Sequence, residues 1–179
     1  MRDTSTSRAA VPSLRPGLWS LHPARSTVTF RHPKFWGLVT IKGTFTKVGG
    51  EGEVLPDGTA SGTLTIAAAS IDTRNAKRDE HLRSADFFDT ARHGSIVFTA
   101  SRASPADDGT ADVTGELTII GVTRPLTFTA RTSDTSADAV TLTADVIIDR
   151  ADFGMTWDKL GVAKGAATIT VVAHFTRQR

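Results

Sequence analysis

The residue types that could do chemistry in this chain do not form a recognisable catalytic set. The sequence has no cysteine, which excludes a disulfide, a thiolate metal site and a cysteine nucleophile. It has no Gly-x-Ser-x-Gly motif, and residues 161–165 (GVAKG) lack the glycine pattern of a phosphate-binding loop. Its five histidines show no close ligand spacing, whereas zinc needs three or four converging ligands. We therefore predict no catalytic residue, no metal and no cofactor.

Residues 70–90 concentrate charged side chains and include the apolar pair Phe87 and Phe88. A charged run of this kind usually forms the solvated face of a helix. The alternative is that Arg74, Lys77 or Arg78 borders the entrance of a binding site and attracts an anionic group through charge-assisted hydrogen bonds. Both interpretations stay open, and we include Arg78 among the candidate ligand-binding residues.

The same segment predicts a short helix over residues 76–84. Asn75 is a suitable N-cap, and Asp79 precedes Arg83 by four residues, which is the favourable order for a helical ion pair. A helix of two or three turns is marginal by itself, so packing must hold it. Leu82 and the two phenylalanines that follow are the candidates for that packing.

Most of the remaining chain alternates apolar and polar residues with a period of two, which is typical of strands with one buried face. About eight segments do so: residues 28–32, 39–45, 64–68, 96–100, 113–119, 126–130, 140–148 and 169–175. Turns are predicted at Gly49-Gly50, Pro56-Asp57-Gly58, Asp107-Asp108-Gly109 and Gly121. Either a sandwich or a closed antiparallel barrel satisfies this pattern. Eight closed strands would leave an interior that side chains or one ligand can fill.

Aromatic residues are spread over these segments and share faces with small residues. Large beside small indicates either a packed core or the lining of a deep apolar cavity that holds a lipid chain. The candidates are Phe30, Phe35, Trp36, Phe45, Phe87, Phe88, Phe98, Phe128, Phe153 and Trp157. Within this set we expect Phe30, Phe45, Phe98 and Phe128 to line the cavity, with Phe87, Phe88, Phe153 and Trp157 nearer its mouth or floor.

His32 lies on the inward phase of the first alternating segment. It is either a core histidine with satisfied hydrogen bonds, a partner for the polar end of a ligand, or an acid or base. Catalysis would need a second titratable group within reach, and the inward phase offers none, so the pattern favours binding over catalysis. We expect His81 and His174 to face solvent, and Arg150 to form a salt bridge with a neighbouring aspartate.

The composition is that of an ordinary globular domain. A chain of 179 residues with 39% hydrophobic and 22% charged residues suits a single core. A net charge of +2 gives no reason to invoke nucleic acid. Residues 1–16 have no apolar region, which predicts a disordered leader on a cytoplasmic protein, followed by one domain over residues 17–179.

Several separate motifs resemble the YceI-like family. The first is the charged segment at residues 70–89 (SIDTRNAKRDEHLRSADFFD). The second is GELTIIGVTRP at residues 115–125, and the third is DRADFGMTW at residues 149–157. Residues 19–45 also fit the family's opening strand pair. The resemblance covers about residues 17–175, with the motifs in the right order.

The resemblance implies an all-β fold: an eight-stranded antiparallel lipocalin-like barrel with a short helical insertion. It also implies a ligand, a polyisoprenoid, an isoprenoid quinone or another long-chain lipid, held in the barrel for sequestration, storage or transport. Burial of such a chain is favourable because each CH₂ contributes about 0.8 kcal/mol. The alternative is an enzyme that modifies such a lipid, with His32 as acid or base. We expect no stable membrane insertion, and an exposed apolar rim that supports a homodimer.

Overall fold

Alternation of apolar and polar residues becomes strand along most of the chain. A computed structural model describes residues 13–158 and 165–179, so most of the leader predicted at residues 1–16 lies outside the described residues. The described residues form one α-helix, α1 (Ala76–Arg83), four short 3-10 helices and eleven strands. The strands are β1 (Gly17–Leu21), β2 (Thr27–Lys34), β3 (Val39–Phe45), β4 (Val48–Val54), β5 (Ala60–Ala67), β6 (Ile71–Asp72), β7 (Ser95–Pro105), β8 (Thr110–Ile119), β9 (Val122–Ser133), β10 (Ala139–Asp149) and β11 (Ala166–Arg177).

The strands close into an eight-stranded antiparallel barrel, which confirms the predicted fold class. The ring runs β1-β4-β5-β7-β8-β9-β10-β11 and returns to β1. One edge of β11 pairs with β10, and its other edge is shared between β2 in the N-terminal half and β1 in the C-terminal half. Because β2 also pairs with β3, β1 and β2 occupy one bent position of the barrel, and β3 and β4 the next.

The helix α1 begins where the sequence predicts. Asn75 Oδ1 accepts a hydrogen bond from the Arg78 N–H at 3.0 Å, so Asn75 is the N-cap. The predicted ion pair between Asp79 and Arg83 is wrong. Asp79 is buried and accepts from Thr73, and Arg83 donates to the backbone carbonyls of Ala69 and Ile71. Both side chains thus attach the helix to the residues that precede it. The helix α1 is too short and too polar to cross a membrane.

Two of the predicted turns have different outcomes. Gly49 and Gly50 lie inside β4 rather than in a turn. A Cβ on Gly50 would come within 2.8 Å of a carbonyl of β5, so close strand packing explains the glycine. The predicted turn at Gly121 is confirmed as the two-residue connection between β8 and β9. Ile120 and Gly121 there both have positive φ (45° and 76°), as a type I′ hairpin requires.

His174 corrects a prediction about the outer face. It was expected to face water, yet it is only 2% exposed. Its Nε2 accepts from Arg25 at 2.8 Å, and its Nδ1 lies 2.8 Å from the Thr141 hydroxyl. The turn between β1 and β2 carries Arg25 and covers the His174 ring, although it lies far from His174 in the sequence. We call His174, Arg25 and Thr141 the outer clasp.

Candidate functional site

The barrel encloses an apolar cavity of about 460 Å³. Inward residues of the barrel strands form its wall, and most of them are aliphatic or aromatic. Strands of 11 and 12 residues such as β10 and β11 make the interior roughly 30 Å long at a rise of about 3.3 Å and a tilt of about 40°. The volume falls within the usual range of small-molecule pockets, and the long shape suits an extended chain.

Aromatic rings contact one another along this wall. The rings of Phe98 and Phe128 lie 5.4 Å apart between centres, in the half of the barrel formed by β7 to β9. Phe45 lies between Phe30 and Phe88, at 5.9 and 5.8 Å. Rings at these spacings stabilise each other beyond their buried area, so the wall is a pre-formed apolar surface.

Glycines beside these rings serve packing. A Cβ on Gly43 would come within 2.5 Å of the Phe30 ring, and a Cβ on Gly115 within 2.9 Å of Phe98. The small residues therefore make room for neighbouring rings, as jigsaw packing requires, and the cavity is what the rings themselves leave open.

One end of the cavity is closed. Trp19, only 2% exposed, forms a buried cluster there with Val54 and Val140, and Leu14 packs against it. The Trp19 Nε1 donates to the carbonyl of Arg15, which satisfies its polar atom.

The opposite end, which we call the mouth, is lined by half-buried polar and aromatic side chains. The His81 ring packs edge-on against Trp157 at 4.5 Å between centres, and Phe87 lies 5.3 Å from Trp157. Arg150 donates to the Trp157 carbonyl at 2.8 Å and covers the Phe87 ring at 5.6 Å. The prediction for His81 holds in part, since its side chain is 39% exposed but also lines the cavity and bonds Asp86. The salt bridge predicted for Arg150 is wrong: among the described residues Arg150 forms none with an aspartate and makes a cation–π contact instead.

Arg78 is held in place at the mouth by the loop before α1. Its Nε donates to the Thr73 hydroxyl at 2.8 Å and its Nη2 donates to the Thr73 carbonyl at 3.0 Å. The Thr73 hydroxyl in turn donates to the buried Asp79 carboxylate at 2.6 Å. The Nη1 of Arg78 has no hydrogen-bond partner within the described part of the chain. A pre-oriented guanidinium of this kind can bind a polar group with little loss of side-chain entropy.

His32 lies inside the cavity near the mouth. Both of its ring nitrogens are buried and have no hydrogen-bond partner among the described residues. Burial lowers the pKa of His32, and the nearby charges of Arg150 and Lys34 lower it further. A neutral imidazole offers one donor and one acceptor. With Lys34, Arg78 and Arg150 also lining this end, the mouth can hold the polar terminus of a ligand whose chain fills the barrel.

The structure brings most of the predicted site residues together. The cavity is lined by Phe30, His32, Phe45, Arg78, Phe87, Phe88, Phe98, Phe128 and Trp157. Phe35 instead lies exposed on the β2–β3 connection, because its backbone turns the ring out of the barrel. Phe153 packs in the core outside the lining. The side chain of Trp36 lies outside the described residues.

Three ionisable residues that line the mouth, Lys34, His81 and Arg150, were not among the predicted site residues. The period of two contains the signal for two of them, since Lys34 follows His32 by two residues and Arg150 follows Ile148 by two. His81 has no comparable signal, because it lies on a helix whose orientation depends on tertiary contacts. The described residues contain no group of three histidine or carboxylate side chains placed to hold a metal ion.

An eight-stranded antiparallel barrel around an apolar cavity, with polar groups at one end, has the architecture of a lipocalin-like small-molecule-binding protein. Residues 19–176 match the model of the YceI-like domain. The chain belongs to the YceI-like family.

Curated relatives agree over part of the chain. A UPF0312 protein of Ectopseudomonas mendocina is 44% identical over 69 residues, which is 38% of this chain and 36% of that protein. Protein YceI of Escherichia coli O157:H7 is 46% identical over 68 residues, which is 38% of this chain and 35% of that protein. The chain thus matches about a third of the length of each relative.

Solved structures match the fold over most of the chain. BcnA of Burkholderia cenocepacia has a TM-score of 0.73 and 21% identity, covering 88% of this chain and 99% of its own. A polyisoprenoid binding domain from Saccharophagus degradans has a TM-score of 0.71 and 19% identity, covering 89% of this chain and 98% of its own. At this level of identity the likeness establishes the fold.

Proposed function

We propose that this protein binds one long-chain amphiphilic lipid, of the polyisoprenoid or isoprenoid-quinone class, with the chain inside the barrel and the polar end at the mouth. The observation that carries the proposal is the long apolar cavity that ends at His32, whose ring nitrogens are buried without a partner among the described residues. A buried polar group without a partner costs about 1–3 kcal/mol, and a ligand's polar atom at the mouth would remove that cost.

The physical balance favours a chain over a compact ligand. Each CH₂ moved from water into the cavity contributes about 0.8 kcal/mol, so a chain of ten carbons gains roughly 8 kcal/mol before ordering costs. The polar terminus must stay hydrated or hydrogen-bonded, and the half-buried mouth offers both conditions. The description of the Saccharophagus degradans neighbour as a polyisoprenoid binding domain supports the isoprenoid class for this chain.

The role that follows from binding is sequestration, storage or transport of the lipid. The enzymatic alternative, with His32 as acid or base, lacks a second titratable side chain in hydrogen-bond contact with His32 within the described structure. The groups that act on its pKa are two cations. The cytoplasmic location and the homodimer remain predictions from the sequence.

Native mass spectrometry of the purified protein tests the proposal, combined with extraction and identification of any bound lipid. We expect a mass increment that matches one amphiphile, and recovery of that increment when the delipidated protein is mixed with farnesol or an isoprenoid quinone. Ala144→Phe puts a ring into the cavity and should abolish lipid uptake. Ala106→Phe, on an exposed turn, should leave lipid uptake unchanged. A protein that carries no lipid and takes up none after delipidation would contradict the proposal.

A further inference from the structure

The connection between β2 and β3 exposes large apolar side chains beside the mouth. Leu38 is 85% exposed, Val39 49% and Phe35 45%. Phe35 also has a positive φ of 50°, a conformation that costs a β-carbon-bearing residue free energy and that holds the turn in its outward shape. We call residues 35–39 the hairpin tip. Clustered apolar exposure of this kind marks a surface that another partner covers.

The hairpin that carries this tip is strongly basic. Residues 27–50 contain Arg31, Lys34, Lys42 and Lys47 and no acidic residue, although the whole chain has a net charge of only +2. Arg31 and Lys42 lie directly opposite each other in the β2–β3 register. Like charges in that position destabilise a strand pair, and no described carboxylate forms a salt bridge with either one. The pair therefore matches an anionic surface.

The tip is continuous with the opening of the cavity. Lys34 lines the cavity at the mouth, and the hairpin tip starts at the next residue. A surface that covered the tip would therefore lie next to the path by which a chain enters or leaves the barrel.

We infer that the hairpin tip docks reversibly on an anionic lipid bilayer. Phe35, Leu38 and Val39 enter the interfacial region, and Arg31 and Lys42 lie against the anionic headgroups. The mouth then faces the membrane, so a lipid passes between bilayer and cavity without crossing water. A second copy of this chain fits less well, since a symmetric contact through the tip would bring two basic hairpins together. This inference goes beyond the proposed function and does not depend on which lipid fills the cavity.

Co-sedimentation of the full chain with vesicles tests the docking. We expect binding to vesicles of phosphatidylcholine mixed with phosphatidylglycerol, weaker binding to phosphatidylcholine alone, and loss of the difference at high salt. Leu38→Asp should lower the affinity for the mixed vesicles by about tenfold or more, because the leucine that enters the bilayer is replaced by a charged residue. Arg31→Gln and Lys42→Gln should each lower it by about fivefold.

The control is Leu55→Asp, which changes another exposed leucine, 43% exposed, in the turn after β4 and beside the closed end. It should leave vesicle binding unchanged. Uptake of farnesol by the delipidated variants, in buffer without vesicles, separates this inference from the proposed function. Normal uptake by Leu38→Asp together with lost vesicle binding supports the docking surface.

Three results would overturn the inference. The wild-type chain could fail to bind the mixed vesicles, or Leu38→Asp could bind them as the wild type does. Sedimentation equilibrium could instead show a dimer that Leu38→Asp dissociates, together with no binding to vesicles. A second copy of the chain would then cover the tip.

Discussion

At the scale of single residues, His32 and the cations around it define the polar end of the cavity. A neutral His32 can donate to or accept from the terminus of a ligand, whereas Lys34, Arg78 and Arg150 provide only donors. Selectivity for a polar terminus therefore depends on His32 in a way that the apolar wall cannot reproduce.

Replacing His32 by phenylalanine should separate recognition of the polar end from recognition of the chain. His32→Phe keeps the bulk of the ring and removes the hydrogen bond, which is worth about 0.5–1.5 kcal/mol. We expect affinity for farnesol to fall about two- to twelvefold, with affinity for a plain hydrocarbon of similar length unchanged. Displacement of a fluorescent lipid measures both. Equal losses for the alcohol and the hydrocarbon would make His32 a structural residue only.

Phe98 and Phe153 offer a matched pair of aromatic residues. Phe98 lines the cavity and is half-buried, whereas Phe153 is 4% exposed and packs outside the lining. Phe98→Ala should widen the cavity and shift the chain-length preference, with a stability loss below the range of about 3–5 kcal/mol for a fully buried phenylalanine. Phe153→Ala should lose stability within that range and keep the preference. Affinities across a chain-length series, with urea unfolding, distinguish the two. An unchanged preference in Phe98→Ala would limit Phe98 to packing.

At the scale of elements, α1 depends on the loop that precedes it. The Thr73 hydroxyl links the buried Asp79 carboxylate to the Arg78 guanidinium, so one side chain both anchors the helix and orients a cation at the mouth. Helix position and mouth chemistry are therefore coupled through Thr73.

Thr73→Val should weaken both functions of this link. Valine keeps the shape and removes the hydroxyl, which leaves a buried carboxylate oxygen short of one donor at a cost of about 1–3 kcal/mol. We expect a loss of that size in the free energy of unfolding. Relative to the wild type, hydrogen exchange should accelerate more in α1 than in β8. Thr123→Val, which removes an exposed hydroxyl on β9, should change stability by less than about 0.5 kcal/mol. Comparable effects of the two substitutions would contradict the proposed anchor.

At the scale of the whole molecule, the outer clasp joins the start of the barrel to its last strands. His174 accepts from Arg25, and therefore must be neutral at Nε2 in the folded protein. Burial lowers the pKa of His174 below its ordinary value of 6.5, Arg25 and His22 lower it further, and Asp134 opposes them. The stability of the closed barrel therefore depends on pH.

The free energy of unfolding should fall as the pH drops below about 6.5, since the unfolded chain then binds a proton at His174 that the folded chain resists. The loss should level off once the pH lies below the folded pKa. His32, whose pKa is also lowered, adds to it with the same sign. Urea unfolding across this range measures the slope. His174→Gln, which cannot titrate, should reduce the slope to the part that His32 contributes. Stability that stays constant down to pH 5 would exclude this linkage.

Much of this arrangement followed from local patterns in the sequence. The period of two identified the strands and the inward positions of Phe30, His32 and Phe98, because successive strand residues point to opposite faces. Asn75 identified the start of α1 through its side-chain oxygen. The eight-stranded closure came from the resemblance to the YceI-like family, since alternation alone suits a sandwich as well.

Only the tertiary structure decided what lies opposite each inward or outward position. Alternation places His174 on the outer face, but burial there depends on Arg25, a residue 149 positions away. The sequence places both Phe98 and Phe153 among the candidate lining residues, whereas in the closed barrel Phe98 lines the cavity and Phe153 packs in the core. The convergence of His81 and Arg150 at the mouth depends on how α1 docks across the strand ends. Spacing along a chain sets the direction of a side chain, and barrel closure sets its neighbours.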